Sequence, residues 1–142
     1  MTRAAEPGGL QVAALECWSR RAPSLAGLPA MLTEHPAAFR LAGGDDFLDI
    51  ACDEPVRGRV NRGHLRMTAH GGELVVVFYR ASPAADGGHY GYGGLAVRTD
   101  RLRVDQVRAW LDYLASGFAE ESAPRGMQTS FQYPVPAGEV AP

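Results

Sequence analysis

The chain reads as an α+β domain: a mainly antiparallel sheet of about five strands, an amphipathic helix packed on one face, and short N-terminal helices. Three observations carry that reading. Gly71-Gly72 sits between two β-type runs, and a two-residue glycine turn supplies the positive φ that primed hairpin turns require. Val104, Val107, Leu111, Leu114 and Phe118 recur at steps of three and four, which places them on one stripe of a helix. The run 74–80 is apolar at almost every position, the mark of a central strand with a partner on each side.

Folding the chain at the diglycine pairs His70 with Glu73, Ala69 with Leu74, Thr68 with Val75, Met67 with Val76, Arg66 with Val77, Leu65 with Phe78 and His64 with Tyr79. Side chains alternate across a strand, so these pairs divide into two faces. Leu65, Met67, Ala69, Leu74, Val76 and Phe78 form a wholly apolar face, and the remainder form a mixed one. A one-residue slip would scramble that division, which selects this register and makes the apolar face the core side. In the helix, Trp110 and Tyr113 widen the apolar stripe, while Arg103, Arg108, Asp112 and Ser116 fall on or near its polar flanks. Asp105 suits the positive end of the helix dipole, and Gly117 is placed to end the helix.

Taken in order, residues 1–9 are expected to form a flexible tail, 10–136 a single domain and 137–142 a disordered tail. Leu10, Ala14, Cys17 and Trp18 support a first helix ending near Arg21, before Pro23. A second short helix is expected from Pro29 to His35, with Pro29 in the first turn that proline tolerates. His35, between Glu34 and Pro36, reads as a helix-end histidine making a backbone contact. A strand follows over 47–52, with Leu48, Ile50 and Cys52 on one face, then a short strand from Val56 to Val60. Asn61-Arg62-Gly63 reads as the turn into the hairpin. The strand around Leu95 extends back through the glycine-rich segment. There Gly91, Gly93, Leu95 and Val97 are expected on the core side, the two glycines leaving room for a close helix, with Tyr90, Tyr92, Ala96 and Arg98 opposite. Alternation over Met127 to Tyr133 predicts a last edge strand, ended by Pro134 and Pro136.

Composition limits the functional classes. With 142 residues and 46% apolar content, the chain supports one ordinary core. No run reaches the roughly 20 apolar residues of a membrane span, and the start lacks the apolar stretch of a secretory signal, so a cytoplasmic location is expected. All 14 basic residues are arginine, which points to the codon bias of a GC-rich bacterial genome rather than to selection for forked hydrogen bonding. A formal charge of −2 provides no general attraction to nucleic acid or to anionic membrane. Asp45, Asp46, Asp49, Asp53 and Glu54 precede Arg57, Arg59, Arg62 and Arg66, an arrangement that reads as two solvated strand ends with weak mutual attraction. Cys17 and Cys52 are too few for a disulfide framework or a four-ligand zinc site and read as small apolar residues. No metal site and no cofactor is expected.

Five glycines in the eight residues 87–94 invite a phosphate-loop reading, but no lysine follows and no strand-to-helix transition occurs there. His64 and His70 lie close to 20 Å apart along one strand, too far to hold one ion together. The mixed sheet face carries Arg66, Tyr79, Tyr90, Tyr92 and Arg98, residue types enriched where protein partners are gripped. The leading expectation is therefore a small non-catalytic protein, immunity-, chaperone- or regulator-like, that binds a protein partner as a monomer or homodimer. That surface is available only if the N-terminal helices, led by Trp18, do not cover it. The alternative is a small-molecule enzyme or ligand-binding protein using a pocket near His64, Asp86, His89 and Tyr92, with His64, Asp86 and His89 as acid–base groups. For the core itself, Leu111→Ala should lower unfolding free energy by roughly 2–5 kcal/mol in denaturant melts, as truncation of a buried leucine does.

Overall fold

The computed structural model describes residues 9–44, 46–54, 62–81, 89–128 and 134–135. In chain order it contains helix α1 (Gly9–Arg21), a 3-10 turn at Pro23–Gly27, helix α2 (Leu28–Glu34) and strands β1 (Ala38–Gly43), β2 (Phe47–Glu54), β3 (Gly63–His70), β4 (Glu73–Ala81) and β5 (His89–Arg98). Helix α3 (Val104–Ala115) and a two-residue strand β6 (Pro134–Val135) follow. The strands lie side by side in sequence order, each antiparallel to the next. This is the expected α+β architecture, with five long strands and β6 as a short addition at one edge.

The hairpin β3–β4 adopts the register that its turn dictates, from His64 opposite Tyr79 to His70 opposite Glu73. Gly71 and Gly72 hold φ values of 60° and 82°, a left-handed conformation that glycine accepts without steric cost. Leu65, Met67, Leu74, Val76 and Phe78 are fully buried and share one cluster with Leu111 and Leu114 of α3. Each such side chain contributes about 1.5–3 kcal/mol of burial. Strand β2 continues this face, with Leu48 and Ile50 opposite Met67 and Leu65, and β1 extends it through Phe39 and Leu41.

Trp18, Leu25, Leu28 and Leu32 belong to the same cluster, so α1, the 3-10 turn and α2 lie on the α3 side of the sheet. The N-terminal helices therefore do not roof the opposite face. The Ser24 hydroxyl donates to the Leu102 carbonyl and ties the N-terminal helical segment to the start of α3. At the other end of α3, the Gly117 N–H donates to Leu114 O (3.1 Å) and the Phe118 N–H to Tyr113 O (3.1 Å). That pair of bonds, with Gly117 at φ 71°, is the Schellman arrangement that ends the helix where the glycine predicts.

Several expectations need correction. Strand β1 goes unpredicted because only Phe39 and Leu41 alternate within it, too short a signal to separate from a loop. Val104, assigned to the apolar stripe, is 42% exposed because it begins the helix beyond the edge of the core. Ser116, assigned to the polar flank, is buried, donating to Tyr113 O (2.7 Å) and accepting from the Ala119 N–H (3.0 Å). Cys52 is buried in the core as expected, whereas Cys17 is only half-buried.

The largest departure lies in β5. Phe78 pairs with Gly93 but Tyr79 pairs with Gly91, so Tyr92 is an extra residue inserted as a β-bulge. The insertion inverts the alternation beyond it. Gly91 joins Tyr79 on the far face, and Tyr92 turns to the helix side, where its ring lies 5.3 Å from Phe118 and 6.5 Å from Tyr113. Gly93 keeps its core-side position, but the chain it accommodates is the segment at Met127 and Gln128, which bridges to Gly94, and no helix. The strand expected at Val56–Val60, most of that expected over 127–133, and the tails at 1–8 and 137–142 fall outside the described residues.

Gly63 is the tightest point of the hairpin's open end. A Cβ at this position would stand 2.0 Å from the Tyr79 carbonyl oxygen and 2.9 Å from the Phe118 ring. Gly63→Ala should therefore destabilise the fold by about 1–3 kcal/mol or more, read as a lower urea midpoint, because a backbone carbonyl has to move.

Candidate functional site

With every described helix on one side, the other side of the sheet is the surface left to consider. Its residues stand in three rows across the strands. The first runs Phe47, Thr68, Val75, Ala96; the second Ala42, Asp49, Arg66, Val77, Gly94; the third Arg40, Ala51, His64, Tyr79, Gly91. In the first two rows Ala42 and Ala96 are exposed, and Phe47, Asp49, Arg66, Thr68, Val75 and Val77 are half-buried. Valine, alanine and threonine make up much of the first two rows.

Arg66 and Asp49 form its one strong polar feature. The β2–β3 register sets them opposite each other, and the guanidinium grips the carboxylate with both arms, Nε to Oδ1 at 2.8 Å and Nη2 to Oδ2 at 2.9 Å. The same guanidinium lies 4.1 Å over the Phe47 ring. Side-chain exposures of 15% and 16% place the pair well beyond the solvated strand ends expected from the sequence. The Asp49 hydrogen bond holds the Arg66 guanidinium above its ordinary range, against the opposing effect of burial. Phe47 and Asp49 are the site residues the sequence reading missed, since only the β2–β3 register brings them to Arg66.

The other expected binding residues separate. Tyr79 and His64 stack with centroids 5.0 Å apart and planes 19° apart, and at 2% and 7% exposure they are not contact residues for a partner. Tyr92 has moved through the sheet, with Arg80 lying 4.6 Å over its ring on the helix side. Tyr90 pairs with Arg80 in the ladder, and its side chain lies outside the described residues. Arg98 is exposed at the end of β5, in a two-armed pair with Asp100 (3.1 and 2.6 Å), and this contact holds the Asp100 carboxyl below the usual carboxylate range.

The alternative acid–base group is not assembled among the described side chains. His64 is stacked on Tyr79, and Asp86 and the His89 side chain lie outside the described residues. A different histidine lines a surface cleft of about 420 Å³, with Met31, Glu34, Pro36, Arg108, Leu111 and Asp112 around it. This is His35, whose Nδ1 accepts the Ala37 N–H (3.1 Å) and whose Nε2 lies 3.0 Å from Asp112 Oδ1. The Ala37 contact is the backbone role expected for a helix-end histidine. With both ring nitrogens engaged, His35 joins the end of α2 to α3 and presents no free base to the cleft. No group of three or more histidine, cysteine or acidic residues that could hold a metal occurs among the described residues. No described helix is long and apolar enough to cross a membrane.

Comparison with family models, with curated proteins and with solved structures gives no match.

Behind β5, Tyr113 is buried beneath Tyr92 and Phe118. Burial first, and the neighbouring Tyr92 hydroxyl second, push the Tyr113 phenol far above its ordinary 10.0. The folded state thus holds this proton more tightly than the unfolded chain does. The resulting stability is complete below pH 10 and declines as the unfolded phenol ionises above it. In a spectrophotometric alkaline titration, Tyr113 should ionise only with unfolding, and Tyr113→Phe should remove one tyrosine from that delayed class.

Proposed function

We propose that this chain is a non-catalytic binding protein of the bacterial cytoplasm that docks a protein partner on the side of its sheet away from α1, α2 and α3. The observation that carries the reading is the one-sided architecture: α1, α2 and α3 share a single core cluster, while Val75, Val77, Thr68 and Ala96 remain accessible opposite. An accessible apolar field with charged residues beside it suits a protein surface. The contact set is revised from the one expected of the sequence. Arg66 and Arg98 stay in the set, Tyr79 is buried on that face, Tyr92 crosses to the helix side, and Phe47, Val75 and Val77 join the set.

Arg66 acts here as a fixed element, because Asp49 and Phe47 hold its guanidinium before any partner arrives. An element already ordered loses little side-chain entropy on association. An immunity-, chaperone- or regulator-like role fits a module that gathers its helices on one side of the sheet and leaves the other for contact.

The test is cross-linked capture from a lysate of the source organism with three baits. Wild type and Arg108→Glu, altered on the helix side, should retain the same partner, while Val75→Arg should lose it by at least about tenfold, as insertion of a charge into the centre of an interface does. Equal capture by Val75→Arg overturns the assignment of this face.

A further inference from the structure

The two edges of the sheet are treated differently. Along β5, Gly94 exchanges two backbone hydrogen bonds with Gln128, each 2.8 Å, and β6 pairs with His89 and Tyr90. Along β1 no further strand is present among the described residues. The Gly44 N–H donates to Phe47 O (2.9 Å), and antiparallel bonding alternates from there, so Ala42 and Arg40 direct their backbone groups to β2. Those of Leu41 and Phe39 point away from the sheet. The register shift between Ala38 and Phe39 interrupts this edge at its start, but from Phe39 to Gly43 the strand runs regularly and holds neither lysine nor proline.

We propose that β1 pairs antiparallel with β1 of a second copy, centred on Leu41, to make one continuous sheet across a two-fold axis. In that register Leu41 faces its symmetry mate, Arg40 lies beside Ala42 of the second copy, and Phe39 lies beside Gly43 of the second copy. Leu41 then packs against Leu41 on the apolar side, Arg40 and Phe39 each meet a small residue, and no like charges are opposed. Centring the pair on Arg40 would instead set two guanidinium groups against each other. This self-complementarity favours a second copy over an unrelated strand. A two-fold axis perpendicular to the sheet also leaves both helical layers on one side and both bare faces on the other. The dimer goes beyond the proposed partner-binding role and is tested without reference to it.

The experiment is light scattering coupled to size-exclusion chromatography of the full chain, over a concentration series reaching the hundred-micromolar range. Wild type should elute at twice its 15.2 kDa chain mass. Ala42→Arg, a change at an exposed position, should weaken the dimer by at least about tenfold through two symmetry-related arginine contacts, with circular dichroism unchanged. Adding Arg40→Glu to that variant should restore the dimer. A monomer throughout the series, or a dimer that Ala42→Arg leaves intact, overturns the proposal, and failure of Arg40→Glu to restore association overturns the Leu41-centred register.

Discussion

The diglycine turn between β3 and β4 constrains everything around it. By fixing Leu65 against Phe78 and Met67 against Val76, it decides which side of the sheet is apolar. A slip of one residue would turn Leu74, Val76 and Phe78 to the side opposite Leu65 and Met67, at a cost on the order of 5 kcal/mol. Strand β2 then aligns Leu48 and Ile50 with that face, and all three helices settle on it. The side of the sheet that the described helices leave uncovered is a consequence of the same choice.

Much of this was legible because period and turn chemistry agree over 64–80 and 104–118. Two strong local signals there leave one arrangement. The sheet is harder to read where a strand breaks its own period. Tyr90 and Tyr92 look like members of one alternating set, but the inserted residue at Tyr92 reverses the side on which it and Gly91 fall. A bulge leaves no mark in a pattern of alternating residues. Its cause is tertiary: Tyr92 finds a pocket of aromatic rings against Tyr113 and Phe118 that the opposite face does not supply.

The candidate surface was half legible for a related reason. Arg66 could be placed on the open face from the hairpin, and Arg98 from the alternation around Leu95. The partners of Arg66 could not, because Phe47 and Asp49 come from a strand whose pairing depends on the connection between β2 and β3. Charge clustering in the sequence suggested weak surface attraction, whereas the ladder converts one member of each cluster into a half-buried, two-armed contact. Likewise His35 was recognisable as a helix-end residue, but its Asp112 partner lies 77 positions away and belongs to packing between helices.

A sheet whose strands neighbour one another in chain order has a kinetic consequence. Each hairpin can zip onto the last at the expense of a short closure only, and the contact order of the strands stays low. The expensive closure is the one that brings the first helices to the last, marked by the bonds of Ser24 to Leu102 and His35 to Asp112. Until α3 has docked, only the N-terminal helical segments cover the apolar side of the meander, so the last helix is the element that completes the core.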